Sequence, residues 1–362
     1  MELPTVTNPT STRQPGILEL STDELRDWFV KRGMPNIRSK QIRRWLIEAG
    51  ADAFTQMTDL PIKLREELGK HFRPFGTEIV RHLHAADHTH KLLLQLPDKH
   101  LVECVLIQEA DRRTACISTQ VGCGMGCVFC ASGLNGVERN LQPWEILEQL
   151  LRLRNLPDAS GETARRLTHI VVMGMGEPLA NMDALLQTLT LATNKTGLGM
   201  SARHVTISTV GLPAKIRQLA DRNVRYHLAV SLHAPNEKLR SQIVPTNESI
   251  GLAAILEAAD YFFDKTGRQV TYEYVLLGEL NDRSEHAKEL SRLLRNRQAH
   301  VNLIPFNDVE GLPYRRPTQP AITTFIDRLR AAGISVKVRK RKGSEIDAAC
   351  GQLRRSQETT TR

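Results

Sequence analysis

Six cysteines occur in the 362-residue chain, and three of them, Cys123, Cys127 and Cys130, fall within eight residues, Cys-Gly-Met-Gly-Cys-Val-Phe-Cys. Thiolates packed this closely hold a metal or exchange disulfides. A structural zinc site takes four ligands in a closed tetrahedron, and a ferredoxin-type run supplies a fourth cysteine close by. Here none follows until Cys350. The economical reading is a four-iron, four-sulfur (4Fe–4S) cluster with three irons held by Cys123, Cys127 and Cys130 and the fourth open to a ligand that is not protein. The alternative is a zinc ion completed by a distant histidine such as His169, His204 or His233.

A second chemical candidate is Cys350, in a short segment bounded by Gly343 and Gly351 that reads as a flexible tail. It follows Lys337-Val-Arg339-Lys340-Arg341-Lys342, five basic residues in six positions. Free cysteines are mostly inert fillers, but a thiol beside cations has a lowered pKa and becomes a nucleophile. Cys116, seven residues before the cysteine loop, is the natural thiol for it to meet. The basic run itself is a phosphate-binding candidate.

These residues need a scaffold. A composition of 41% hydrophobic residues supports a proper core, and a formal net charge of +9 favours a polyanionic partner, nucleic acid first. The first residues lack the basic-then-apolar pattern of a signal peptide, and no apolar run approaches the roughly 18 residues of a membrane span. A soluble chain in the reducing cytoplasm follows, where clustered cysteines serve metal or redox chemistry.

In chain order, residues 1–15 read as a disordered lead and 16–76 as a helical accessory unit suited to RNA. Its first helix is capped by Ser21 or Thr22 with Glu24 in the first turn; a second covers Ser39–Ala49, ended by Gly50, and a third Pro61–His71. Lys40, Arg43 and Arg44 form a basic patch on the second. Residues 77–110 alternate as a β link, with strands at Leu92–Leu96 and Leu101–Ile107 around a Pro-Asp-Lys turn. From 111 to 342 strands and helices take turns. Strands are predicted at Thr114–Val121, His169–Gly174, His204–Thr209, Tyr226–His233, Gln269–Leu276 and His300–Pro305. Helices are predicted at Pro143–Asn155, Met182–Thr193, Pro213–Arg222, Ile250–Lys265 and Glu285–Arg297. The fold class is therefore α/β, an open partial (βα)6 barrel, with 343–362 as a carboxyl-terminal tail. Chemistry in such folds gathers at the carboxyl ends of the strands, where the cysteine loop falls.

Other strand ends reinforce this. The second core strand runs into Gly174-Met-Gly176-Glu177-Pro178, where two glycines let backbone approach a ligand. Further ends carry Ser208, then Ser231-Leu232-His233, then Pro305-Phe306-Asn307. The C-x3-C-x2-C spacing with Phe129 resembles the cluster loop of radical S-adenosylmethionine enzymes. With Cys116, Gly-Met-Gly-Glu-Pro-Leu, Ser-Leu-His, Pro-Phe-Asn and Asp-Ala-Ala-Cys-Gly-Gln-Leu, the stretch from about Glu103 to Leu353 resembles the RlmN/Cfr family of RNA adenine methyltransferases.

The resemblance implies S-adenosylmethionine chelating the open iron, two molecules of it per turnover, and contacts to it from Gly176, Glu177, Ser208, Ser231, Leu232, His233 and Asn307. It implies methylation of C2 of adenosine in the peptidyl-transferase region of 23S rRNA and of the adenosine 3′ of the tRNA anticodon. Because C2 is electron-poor, the implied route is radical. Cys350 takes a methyl group, a 5′-deoxyadenosyl radical abstracts hydrogen from it, and the carbon radical adds to C2. Glu103 accepts the C2 proton, and Cys116 attacks the sulfur of Cys350, leaving a disulfide. A flavodoxin- or ferredoxin-like electron donor and a monomeric enzyme are also implied. Two alternatives stand beside this: methylation of C8, as by the Cfr branch, and a zinc-containing RNA-binding protein without catalysis.

Overall fold

The computed structural model describes residues 13–158 and 166–353. The described residues fall into two compact units, divided between Glu78 and Ile79.

In the first unit, helices span Thr22–Val30, Ile37–Arg44 continuing through Trp45–Ala49, and Ile62–His71. Ser21 Oγ accepts the Glu24 N–H, and the Glu24 carboxylate accepts the Ser21 N–H at 2.8 Å, the expected reciprocal cap. Gly50 stops the second helix at φ +81°, a conformation that side chains with a Cβ rarely adopt. Leu25, Phe29, Ile42, Leu46 and Leu68 turn inward as the buried seam. The basic patch is only partly as expected. Lys40 is exposed, but Arg43 donates to the Leu20 carbonyl and Arg44 pairs with Asp59 at 2.8 Å. The disordered lead falls mostly on residues 1–12, outside those described. Its last residues are ordered, since Arg73 N–H donates to the Pro15 carbonyl and Arg13 pairs with Glu19.

The second unit is built on one ten-stranded sheet. Its strands are β1 (Glu78–His84), β2 (His90–Gln95), β3 (Leu101–Glu109), β4 (Arg112–Cys116), β7 (His169–Val172), β8 (Val205–Thr209), β9 (His227–Ser231), β10 (Val270–Leu276), β11 (Ala299–Pro305) and β12 (Ser335–Val338), adjacent in that order. β5 (Gln120–Gly122) and β6 (Val137–Asn140) form a separate hairpin. β2, β3 and β4 are antiparallel, and from β4 onward each strand is parallel to the next. The (βα)6 core is present, with β12 as an added edge strand. The helices Pro143–Arg154, Met182–Thr193, Pro213–Asp221, Leu252–Thr266 and Ser284–Leu293 occupy the crossovers where amphipathic periodicity puts them. Ile170, Ile207, Leu228, Val230, Tyr272 and Leu303 on the parallel strands are among the residues of a single large core.

Three features differ from the sequence reading. The hairpin is continuous with the barrel sheet, since β3 pairs directly with β4. The first core strand stops at Cys116, because residues after it leave the main sheet and Gln120–Gly122 pairs with β6 instead. A helix at Gln319–Ala331 and the strand after it follow the last predicted strand.

Candidate active site

The cysteine loop is braced from three sides. Cys123 N–H donates to the Gly136 carbonyl, Val128 N–H to Ile243 at the end of the helix Glu237–Ile243, and Ala131 N–H to the Gly351 carbonyl in the tail. A cavity of about 130 Å³ opens beside it, lined by Cys123, Cys127 and Cys130 on one wall. The other wall comes from the carboxyl ends of four strands: Gly176 and Glu177 after β7, Ser208 on β8, Ser231 and His233 at β9, and Glu273 on β10. The convergence expected from sequence is therefore present for Gly176, Glu177, Ser208, Ser231 and His233, and Glu273, which sequence reading missed, joins them.

Each contributes differently. Gly174 and Gly176 serve packing as well as ligand approach. A Cβ at Gly174 would lie 2.6 Å from Ser118 Oγ, and one at Gly176 2.6 Å from the Gln120 side chain. The Glu177 carboxylate is buried and accepts the N–H groups of Leu179 and Val210, at 3.0 and 2.7 Å, clasping the end of β7 to that of β8. Burial raises its pKa, and those donors offset only part of the rise. His233 sits at φ +60° and accepts the Val275 N–H on Nδ1 at 3.1 Å. Burial, aided by Arg240, holds its pKa at about 3, so the ring stays neutral and presents Nε2–H. Two expected residues stand apart from this cavity. Leu232 is wholly buried in the main core, its N–H donating to the Glu273 carbonyl. Asn307 lines an adjoining cavity, donates to the Cys350 carbonyl, and leaves Oδ1 buried without a hydrogen-bond partner.

The loop thiols fit a cluster better than a single ion. Burial raises all three pKa values, Cys123 to about 11, and Cys123 and Cys130 push Cys127 up further because neighbouring thiolates repel. A cationic iron centre would reverse that penalty. Yet among the described residues no three His, Cys, Asp or Glu side chains converge on a point that would hold one metal ion. All three thiols line one wall of the cavity. Of the histidines offered to zinc, His169 and His204 stack on each other 4.5 Å apart, His169 at the amino end of β7, opposite the loop, whereas His233 lines the cavity with the three thiols, its Nδ1 already taken by the Val275 N–H. Arg240, which sequence reading missed, lies under the loop. Its buried guanidinium donates to the Leu232, Val210 and Ser231 carbonyls and counters the charge of Cys127. Nothing in its local sequence marks it, because its role comes from strand ends that meet only in the fold.

The second pair of thiols lies next to this cavity. Cys350 lines it and also a larger one of about 610 Å³, to which Lys337 and Arg339 to Lys342 contribute. The tail is docked rather than flexible. Ser132 Oγ donates to the Leu353 carbonyl, Gln352 to Asp308, and Gly343 N–H to Asp87. Of the basic run, Arg339 acts on the Cys350 thiol, and burial outweighs it: the thiol pKa is raised, not lowered as the sequence suggested. Cys116, buried at the end of β4, is pushed up to about 12 by burial, with Arg339 opposing and Cys350 adding to the rise. The two thiols thus share one guanidinium. Glu103 faces the same side: Cys116 is opposite Val105 in the β3–β4 register, and strand alternation puts Glu103 on the face of Val105.

Comparison with known proteins agrees with this geometry. The radical SAM superfamily matches residues 117–291, and the ribosomal RNA large subunit methyltransferase N-terminal domain matches residues 16–73. A Rhodopirellula baltica protein named probable dual-specificity RNA methyltransferase RlmN is 52% identical over 98% of this chain and 95% of its own. A Synechocystis protein of the same name is 45% identical over 94% and 95%. The crystal structure of a radical SAM methyltransferase from Sphaerobacter thermophilus superposes with a TM-score of 0.88 at 39% identity, covering 94% of this chain and all of that one. No helix among the described residues is long and apolar enough to cross a membrane. The chain belongs to the RlmN family of radical SAM methyltransferases, enzymes that work with a 4Fe–4S cluster and S-adenosylmethionine.

Proposed function

We propose that this enzyme methylates C2 of adenosine in 23S rRNA and in tRNA, with Cys123, Cys127 and Cys130 as cluster ligands. The observation that carries the reading is the placement of two further thiols, Cys116 and Cys350, around one guanidinium beside the loop cavity. When bound, the cluster and S-adenosylmethionine supply the methyl group and the one-electron chemistry on either side of carbon–carbon bond formation. Gly176, Glu177, Ser208, Ser231 and His233 line the space for the methionyl and ribose groups, and Asn307 offers its open Oδ1 as an acceptor.

The chain's own residues do the rest. Cys350 carries the methyl carbon as a thioether, so the adduct ties the tail to the base. Glu103 takes the C2 proton. Cys116 attacks the sulfur of Cys350: an S–S bond forms, the S–C bond breaks, and its electron pair goes to the carbon, which takes a proton and becomes the product methyl. An external dithiol reduces the disulfide. A flavodoxin- or ferredoxin-like protein is the electron donor, and the enzyme acts as a cytoplasmic monomer. Mass spectrometry of nucleosides from RNA treated with anaerobically reconstituted enzyme tests this. The expected product is 2-methyladenosine in both RNA classes; 8-methyladenosine would overturn it.

A further inference from the structure

Lys91 is a buried cation that the reaction just described does not use. It lies on β2 opposite Val105, so it shares the face of Glu103. Its Nζ is 2.9 Å from Glu103 Oε1, and the two side chains are only 8% and 5% exposed. The same Nζ donates to the Asp347 carbonyl at 3.1 Å, three residues before Cys350. The β1–β2 turn holds the tail beside it, with Gly343 N–H donating to Asp87 and Ala86 N–H to the Glu345 carboxylate.

We propose that Lys91 is a positioning residue that aims the Glu103 carboxylate at the substrate base and ties that aim to the docking of the Cys350 tail. The inference rests on the proposed C2 methylation. An isolated buried ammonium is strongly disfavoured, so this one is held by its carboxylate and carbonyl partners together. A buried carboxylate without a countercharge is driven to its neutral form, which accepts no proton. Lys91 supplies the countercharge at Oε1. Its hydrogen bond to Asp347 sets the ammonium in place only while the tail is seated, so base and methyl-carrying thiol are positioned together. In the step concerned the C2–H bond breaks, its electron pair stays on the ring, and the proton passes to Glu103. Lys91 neither gains nor loses one.

The test compares Lys91→Met, Lys91→Arg and Cys116→Ala in the full-length, anaerobically reconstituted enzyme with tRNA transcripts. Three quantities are measured: kcat and KM for RNA, the fraction of protein cross-linked to RNA, and the alkylation rate of Cys350 by iodoacetamide without RNA. Lys91→Met should lower kcat roughly a hundredfold, the size of effect that a misaimed reacting group produces, with KM unchanged. It should also accumulate cross-link and speed Cys350 alkylation. Lys91→Arg, which keeps the charge and the donors, should recover most of kcat. Should Lys91→Met not fold, Lys91→Gln takes its place with the same kcat loss expected. Normal turnover in the uncharged variant, a loss carried by KM alone, or no rescue by Arg would overturn the inference. Cys116→Ala separates the two levels. If it forms no cross-link, the proposed function fails and this inference with it; if it does and the uncharged variant turns over normally, only the role of Lys91 fails.

Discussion

The cysteine loop and the carboxyl-terminal tail each present reactive thiols to the same cavity, but they are held in opposite ways. The loop is fixed by backbone hydrogen bonds that it donates to Gly136 just before β6, to the helix Glu237–Ile243 and to the tail, with the buried Arg240 beneath it. The tail is fixed largely by side chains reaching to or from it: Asp87, Lys91, Ser132 and Asn307. Side-chain tethers release one at a time, whereas the loop is part of the scaffold. A ligand frame for a metal cluster must not move, and a thiol that carries a methyl group to an RNA base and then meets a second thiol must. The sharpest way to break the comparison is at the loop. Replacing Cys123, Cys127 or Cys130 with Ala should abolish the brown chromophore and all methylation while leaving the far-ultraviolet circular dichroism unchanged, because these thiols line a cavity rather than fill the core. A normal chromophore in any of the three would contradict the ligand set.

The tail should fail differently. Cys350→Ala should be inactive and never bound to RNA, while keeping the full chromophore. Cys116→Ala should load the methyl group and add to the base, then stall as a protein–RNA cross-link that nuclease collapses to protein bearing a nucleotide. Normal turnover by Cys116→Ala would make that thiol a packed strand residue. A smaller effect is expected from the basic run. Neutralising Lys340, Arg341 and Lys342 should weaken RNA binding and flatten its salt dependence by about 0.7–0.9 in log–log slope for each phosphate that the run no longer neutralises. Arg341 should contribute least, because it already faces Asp308 at 4.0 Å. An unchanged slope would mean that the run only frames the cavity it lines.

Local signals made the loop legible and left the tail half-read. Cysteine spacing, strand periodicity and glycine turns are properties of short stretches, so the cluster loop, the crossover helices and most of the cavity rim followed from sequence. Leu232 was misread because a motif of consecutive residues at a strand end sends alternate side chains to opposite faces: Ser231 and His233 line the cavity, and Leu232 enters the core. The strand Ser335–Val338 was hidden because its lysine belongs to the basic run, which reads as a phosphate-binding candidate and not as a strand. Its helix, Gln319–Ala331, does carry a legible start, with Thr318 Oγ1 accepting the Ala321 N–H and Pro320 in the first turn. The thiol pKa was misjudged for a physical reason. Charge near in sequence was taken as charge near in space, whereas the Cys350 thiol feels Arg339 and Glu273 in a dry site, not the whole run. Lys91 and Arg240 could not be recognised at all, since what makes each functional is a partner from a distant strand or helix.

The smallest expected effect sharpens the contrast through pH. The β1–β2 hairpin that holds the tail carries a stack of imidazoles, with His82 Nε2 2.9 Å from His90 Nδ1 and the His84 ring 4.2 Å from that of His90. Burial, with the nearby His84, His82, Arg113 and His88, lowers the His90 pKa to about 4. The folded hairpin therefore resists a proton that the unfolded chain accepts near 6.5. Acidification favours the unfolded chain, and the stability held by neutral His90 is lost progressively as pH falls from about 6.5 to about 4. The full shift corresponds to about 3–4 kcal/mol at most, and solvent screening and relaxation of the hairpin reduce it. Hydrogen exchange measured across that range should show the backbone of residues 343–353 losing protection before that of the loop, whose backbone hydrogen bonds go to Gly136, Ile243 and Gly351 and whose imidazole neighbour, His233, packs edge-on against Phe129. His90→Asn, which cannot titrate, should remove the acid-side slope from the tail and leave the loop as it was. Equal loss of protection in both segments would mean that acid opens the unit as a whole and that the tail is no more loosely held than the loop.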